Sequence, residues 1–229
     1  MSSMGLSYSR LSTFEQCESK FDYLYVSKSV RDMGSDASAY GNRVHEVLEL
    51  YGRDELDTNN LTLEGKQTLK RWGSLVDTIR SKNGDKYFEY QMAIDKHCDP
   101  CDWFDPSVYI RSIADVLVVD GKRAYCLDYK TGKVKDNPTQ LQLFAAMVFF
   151  HFPEVEEVKT SFIWLKFDET TEAVYKRAYL KELWEGLKPR FENVLEAVDL
   201  GVFKSKPSGL CPWCPAKDIC PDARLRGRR

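Results

Sequence analysis

The chain has no excess of positive charge. Its 33 lysines and arginines stand against 35 aspartates and glutamates, a net charge of −2. A polyanionic partner would therefore be held by a local basic groove and not by the global field. A long apolar run is also missing. The longest, residues 143–150, is far short of a bilayer span, and the opening MSSMGLSYSR lacks the continuous apolar stretch of a secretory signal. These absences lead us to expect a cytoplasmic protein with no membrane partner. There is no internal repeat, no low-complexity tract and no Gly-x-x-x-x-Gly-Lys-Ser/Thr loop, so the chain carries no phosphate-cradling motor motif of its own. Nor is there an even set of cysteines. Seven is odd, and without a secretory signal the thiols are expected to bind metal or to pack, not to form a disulfide framework.

What remains is ordinary globular material. A chain of 229 residues, 43% hydrophobic and 30% charged, is sized for one large domain, or one domain with a small appendage, with a substantial core. The stretch that organises it is 112–130, SIADVLVVDGKRAYCLDYK. It reads as two strands joined by a tight turn at Asp120-Gly121, a residue pair suited to positive φ. Asp115 precedes the apolar run on the first strand. Asp128 and Lys130 are two apart on the second and share a face, while Leu127 and Tyr129 face the other way. Paired carboxylates repel unless a cation holds them, and oxygen ligands of this kind suit Mg²⁺ or Mn²⁺. The alternative is a half-exposed hairpin with scattered surface charge.

Around that hairpin the periodicity alternates between helix and strand. Residues 7–26 read as a helix capped by Ser7 or Ser9, with Cys17 in its apolar stripe. A second helix over 37–51 carries His45 and Glu46 at its middle, and 61–82 is a third, amphipathic one. Residues 85–94 alternate as a strand, with Tyr87, Glu89 and Gln91 on one side and Phe88, Tyr90 and Met92 on the other. A polar loop, 95–106, holds His97, Cys98 and Cys101, which we expect to be loop residues and not a zinc site. Helix 137–150 carries Gln140, with Pro138 in its first turn. Strands over 155–167 and 171–180 and a helix over 181–200 ending at Gly201 follow. The sum is an α/β plan with a mixed sheet.

The most specific local pattern is Cys211-Pro212-Trp213-Cys214 followed by Cys220. Two cysteines separated by two residues reach one metal centre from a tight turn, a third can close on it, and Cys17 is available as a fourth. On spacing alone an iron–sulfur cluster and a structural zinc site are equally served. Cys126 reads as a packing residue, and the basic tail 224–229 as a solvated end.

Together, Gly41-Asn42-Arg43-Val44-His45-Glu46, the Glu89 strand, Asp115 and Asp128-Tyr129-Lys130 resemble the PD-(D/E)XK nuclease superfamily, and within it the RecB-type exonucleases. The similarity is greatest to single-domain phage, archaeal and CRISPR-associated members with an iron–sulfur cluster. Gln140-Leu141-Gln142-Leu143-Phe144 stands where that group has Gln-x-x-x-Tyr. The resemblance implies a restriction-endonuclease-like mixed sheet flanked by helices, spread over 1–229 as a single domain. Its helical part would be 1–82, its catalytic sheet 83–180 and its cysteine-bearing end 181–229. It implies a metal-dependent DNA exonuclease working on single-stranded ends in recombination, repair or phage and CRISPR DNA processing, with a helicase, recombination or CRISPR-type protein as partner. A module that keeps the fold and binds nucleic acid without cutting it is the alternative.

The resemblance also implies roles. His45, Asp115, Asp128 and the Tyr129 carbonyl would hold Mg²⁺ or Mn²⁺, and Lys130 would orient the attacking water. Glu89 would assist a second metal or position the site, and Gln140 would support it. Cys17, Cys211, Cys214 and Cys220 would carry a [4Fe-4S] cluster, with Zn²⁺ as the alternative. Three departures stand out: Ala114 precedes Asp115 where the family has proline, Asp128 replaces the commoner glutamate, and Phe144 replaces the tyrosine.

Overall fold

The structure, a computed structural model, describes residues 4–135 and 137–226, with 224–226 in backbone alone. The side chains of the basic tail, and residues 227–229 altogether, lie outside the described residues. The chain divides into two compact units, Met1–Gly5 with Ser35–Trp184, and Leu6–Gly34 with Glu185–Arg229.

In chain order the elements are α1 (Tyr8–Gln16), α2 (Glu18–Phe21), α3 (Asp36–Gly52), α4 (Leu63–Arg80), β1 (Asp85–Ile94), β2 (Ile110–Asp120), β3 (Arg123–Lys130), α5 (Pro138–His151), β4 (Glu157–Trp164), β5 (Glu169–Lys176), α6 (Leu180–Leu200) and α7 (Pro221–Arg226). Local chemistry sets several boundaries. Ser7 Oγ accepts the Arg10 N–H at the start of α1, Ser35 and Ser38 close a reciprocal cap on α3, and Thr62 Oγ1 accepts the Gly65 N–H at α4. The hairpin between β2 and β3 turns one residue later than the sequence suggested. Asp120 still pairs with Arg123, so Gly121 and Lys122 form the loop. Gly121 takes the positive φ of 57°, the first central position where a type II′ turn wants glycine.

The first unit is a five-stranded mixed sheet in the order β1-β2-β3-β4-β5. Only β3 and β4 run parallel, joined by the α5 crossover. That connection explains why α5 is apolar on every side. Leu141 and residues 143–149 are all buried, because a crossover helix laid on a sheet has little solvent face left. Helices α3 and α4 supply Val44, Leu48, Val76 and Ile79, which pack with Phe88, Val116, Val118 and Tyr129. Each such side chain, fully buried, contributes roughly 1.5–3 kcal/mol.

Strand β1 does not keep the alternation read from its sequence. Tyr87 and Tyr90 bring their rings to 4.8 Å, and both lie near Phe152, at 6.1 and 5.8 Å. The cause is Glu89, whose φ of 50° is left-handed and resets which side the following residues face. A non-glycine residue pays roughly 1–3 kcal/mol for such a conformation.

In the second unit the expected single helix over 7–26 is broken. Cys17 is extended (φ −168°, ψ 113°) between α1 and α2, and a wide π-type turn, Asp22–Val26, follows. The break takes Cys17 out of the apolar stripe and leaves it half-buried. Phe14, Phe21 and Phe203 form the aromatic centre of this unit, with Phe14 edge-on to Phe21 at 5.4 Å and Phe21 6.4 Å from Phe203. Residues 203–206 are tied to α1 and α2: the Ser19 N–H donates to the Lys204 carbonyl, the Lys204 N–H to Glu18 Oε2 and Lys206 Nζ to the Glu15 carbonyl. Arg190 of α6 forks onto Glu15 with two bonds of 2.7 Å. Among the described residues no helix is long and apolar enough to cross a membrane.

Candidate functional site

Strands β2 and β3 are paired only from Val116↔Leu127 to Asp120↔Arg123. Beyond that they part, and Asp115 and Asp128 stand in the opening. Both are buried, at 9% and 6% exposure, which an isolated carboxylate would not tolerate. Asp115 is held from two sides. Its Oδ2 accepts the backbone N–H of Tyr129 at 2.5 Å, and its Oδ1 lies 3.1 Å from His45 Nδ1. His45 reaches it because Val44 and Leu48, its neighbours on α3, are locked at 0% exposure in the core. Gly41, one turn earlier, lets α3 approach the end of β3. A Cβ there would sit 3.0 Å from Thr131 Oγ1.

Glu89 comes in from β1. The β1–β2 register runs through Phe88↔Val116 and Tyr90↔Ala114 but skips the pair between them, which leaves Glu89 opposite Asp115. One ligand atom each from His45, Glu89 and Asp115 lie within 4.8 Å of one another, and among the described residues this is the one group of three so placed. Glu89, which the sequence marked as an auxiliary residue, is thus part of the tightest cluster.

Electrostatics follow from the crowding. Burial, then the Asp115 and Glu49 charges and a hydrogen bond with Asp115, push the Glu89 carboxyl up to about 7. Burial and the Asp115 charge raise Asp128 to about 6, with Lys130 pulling the other way. Burial pulls His45 down, but the hydrogen bond and charge of Asp115, with Asp128 and Glu89, outweigh it and the net shift is upward. All three groups favour their proton-bound forms because several carboxylates are crowded into one partly buried place. The donor set of two carboxylates and an imidazole fits a divalent ion of the Mg²⁺ or Mn²⁺ kind.

Asp128 belongs to a neighbouring set. Lys130 Nζ lies 2.5 Å from its Oδ2 as an ion pair, and Gln140 on the first turn of α5 closes the triangle. Gln140 Nε2 donates to Asp128 Oδ1 at 3.2 Å, and its Oε1 accepts from Lys130 at 3.2 Å. Lys130 also stands 4.8 Å over the ring of Phe162. What the geometry shows of Tyr129 is its amide on Asp115 and its ring, edge-on to His45 at 6.0 Å. Phe144 is in the core at 2% exposure, and Cys126 is fully buried with its thiol pushed up by that burial. In the 95–106 loop, Cys101 anchors its N–H on the Ala93 carbonyl. His97, Cys98 and Cys101 do not form a group of three close ligand atoms among the described residues. Sequence reasoning missed Arg53, whose Nη2 donates to the Phe88 carbonyl at 2.7 Å. No motif signals it, because the bond joins the end of α3 to a strand carbonyl 35 residues away.

Cys17, Cys211, Cys214 and Cys220, far apart in sequence, line one cavity of about 190 Å³ in the second unit. Two of their sulfurs already accept backbone N–H groups, Cys17 from Lys206 at 3.4 Å and Cys211 from Ser208 at 3.2 Å.

A crystal structure of a candidate exonuclease from Eubacterium rectale is similar to the chain with a TM-score of 0.57 and 14% identity, over 98% of this chain and 88% of that one. At that identity the likeness speaks for the fold, the restriction-endonuclease-like arrangement of a mixed sheet with flanking helices. A second solved structure, SSO0001, aligns at 14% identity over 95% of this chain and 85% of its own, with a TM-score of 0.41, too low to add to the argument. No curated protein shows significant similarity to the chain. The profile of one family, however, matches residues 5–221, and with nearly the whole length covered the chain belongs to the PD-(D/E)XK nuclease superfamily.

Proposed function

We propose that this nuclease is a divalent-metal-dependent DNA exonuclease acting on single-stranded ends, in recombination, repair or the processing of phage or CRISPR DNA. The observation that carries the reading is the convergence of His45, Glu89 and Asp115 beside the Asp128–Lys130–Gln140 triangle. Hydrolysis needs a water oxygen to form a new bond to phosphorus while the bond to the leaving sugar oxygen breaks and that oxygen gains a proton. A Mg²⁺ or Mn²⁺ ion held by His45, Glu89 and Asp115, with Asp128 adjacent, would supply charge neutralisation and an acidified water. The chain's own residues do the rest. The Tyr129 amide fixes Asp115, and Gln140 holds the Lys130 ammonium, a cation placed to orient the water and to offset charge on the non-bridging oxygens.

We read the four cysteines as ligands of a [4Fe-4S] cluster, which takes its thiolates at four separate corners, with Zn²⁺ as the alternative. The N–H groups on Cys17 and Cys211 suit thiolate sulfur. Such a cluster would be structural, closing the 203–220 segment onto the α1–α2 joint. Because the family match spans both units, we read them as one nuclease domain.

The test is digestion of end-labelled single-stranded DNA by anaerobically purified protein with Mn²⁺, Mg²⁺ or chelator, comparing wild type with Lys130→Ala. We expect metal-dependent loss of label in wild type and roughly 10²–10³-fold slower loss in the variant. A folded wild type that binds DNA but leaves the label intact with every metal would replace the enzyme by a non-cutting module.

A further inference from the structure

We propose that Arg53 is a positioning residue for the metal site: it ties the Phe88 carbonyl, which leads into Glu89, to the end of α3 and so keeps Glu89 turned toward His45 and Asp115. The proposal rests on the reading of those three residues as the metal-binding group.

The geometry is built from one helix end. Helix α3 stops at Gly52, whose Cβ, if it had one, would lie 2.2 Å from the Phe88 ring. Only glycine lets the helix end come so near β1. That approach sets the next residue, Arg53, over the strand, where its Nη2 donates to the Phe88 carbonyl at 2.7 Å. This carbonyl belongs to the peptide that leads into Glu89, the residue at φ 50° where the ladder to β2 is interrupted. A guanidinium gives this carbonyl a charge-assisted hydrogen bond, which pins the backbone beside the left-handed residue. Arg53 is itself oriented by Glu49, one turn back on α3, at 2.9 Å.

A plain helix-end arginine would satisfy its own helix carbonyls and stop there. Arg53 instead spends a donor on the one strand carbonyl adjoining the strained residue. Since α3 also carries His45, a single rigid element both supplies one ligand and fixes the direction of another. Gly52, Arg53 and Glu89 line the same open cleft of about 830 Å³, so the device sits at the surface, where Arg53 can be replaced without opening the core.

The experiment measures Mn²⁺ affinity of metal-stripped protein by calorimetry, with electron paramagnetic resonance as a second readout. The panel is wild type, Arg53→Ala, Arg53→Lys, Glu89→Ala and the Arg53→Ala/Glu89→Ala double variant, each checked for fold by circular dichroism. We expect Arg53→Ala to weaken Mn²⁺ binding roughly 10–100-fold, the usual range for losing an outer support of a ligand. Arg53→Lys, which keeps a donor, should recover most of it. In the Glu89→Ala background the Arg53 change should have no further effect, because the residue it positions is gone. Arg53→Ala binding within twofold of wild type, or an equal loss in both backgrounds, overturns the proposal. A wild type that binds no Mn²⁺ overturns the metal-site reading as well, whereas wild-type binding with an inert Arg53 removes this inference alone.

Discussion

The protein gathers two sets of ligand-type side chains by opposite means. The His45–Glu89–Asp115 set is assembled from a helix and two strands, each residue fixed by packing around it, and it is crowded to within 4.8 Å. The cysteine set is carried by the broken joint at Cys17 and the loop-like 203–220 segment, and its sulfurs line a cavity of about 190 Å³. In the first the scaffold forces like charges together, so it stores repulsion that a cation would relieve. In the second the backbone is irregular and tied largely by hydrogen bonds such as Ser19 N–H to Lys204 O, so a bound group would order the scaffold. The first arrangement would spend stability on function, and the second would gain it from a bound group.

The sharpest way to break that comparison is at Asp115, the centre of the crowded set. Asp115→Asn keeps the shape and removes the charge, and we expect DNA cleavage to fall at least about 10³-fold, since metal electrostatics are worth several kcal/mol at the transition state. The same change should leave the metal-free protein as stable as wild type or more so, because it lifts the repulsion felt by Glu89 and Asp128. Thermal melts with and without chelator, beside the cleavage assay, check both halves. A large drop in stability of the metal-free variant would contradict the stored-repulsion account.

Cys214→Ser makes the opposite statement and carries the next largest effect. It should abolish the broad visible–ultraviolet absorbance of the purified protein and lower its thermal stability, while Mn²⁺ affinity at the first site stays within a few-fold of wild type. Chelator treatment should do the reverse, stopping cleavage and leaving the colour. Stoichiometric zinc in a colourless wild type would replace the cluster and keep the contrast between the sites.

Much of this was legible in the sequence, and the exceptions have physical reasons. The hairpin around Asp115 and Asp128, the α3 helix with His45 and the α5 helix with Gln140 followed from periodicity and capping, because those signals are local. The link between Cys17 and the C-terminal cysteines came from ligand count and a family resemblance, because no local spacing joins residues so far apart. The break at Cys17 was invisible, since α1 and α2 continue one apolar stripe and nothing in residue type announces an extended joint. The alternation of β1 failed after Tyr87 for a similar reason. A glutamate at positive φ has no sequence signature, and its consequences, Tyr87 beside Tyr90 and Arg53 on the Phe88 carbonyl, are tertiary. Glu89 was therefore undervalued by the very strain that places it in the cluster.

The smallest effect is also the one that tests the stored repulsion most directly. Glu89 is raised to about 7 and Asp128 to about 6, so between the ordinary carboxylate range and those values the folded protein holds more protons than the unfolded chain. Stability of the metal-free protein must then fall as pH rises through that window. His45, raised by its carboxylate partners, acts in the same direction, since the stability its proton provides is lost on passing the folded value. Solvent screening at half-buried Glu89 limits its share to about 1 kcal/mol, which corresponds to a fall of roughly 2–4 °C in Tm between pH 5 and pH 8 for a chain of this size. Mn²⁺ should reverse the trend, with its largest stabilisation at pH 8, where it no longer competes with protons. Glu89→Gln should flatten the metal-free profile. A metal-free Tm that rises from pH 5 to pH 8 in wild type would mean that the carboxylates are already compensated, and the cluster would then have no need of an ion.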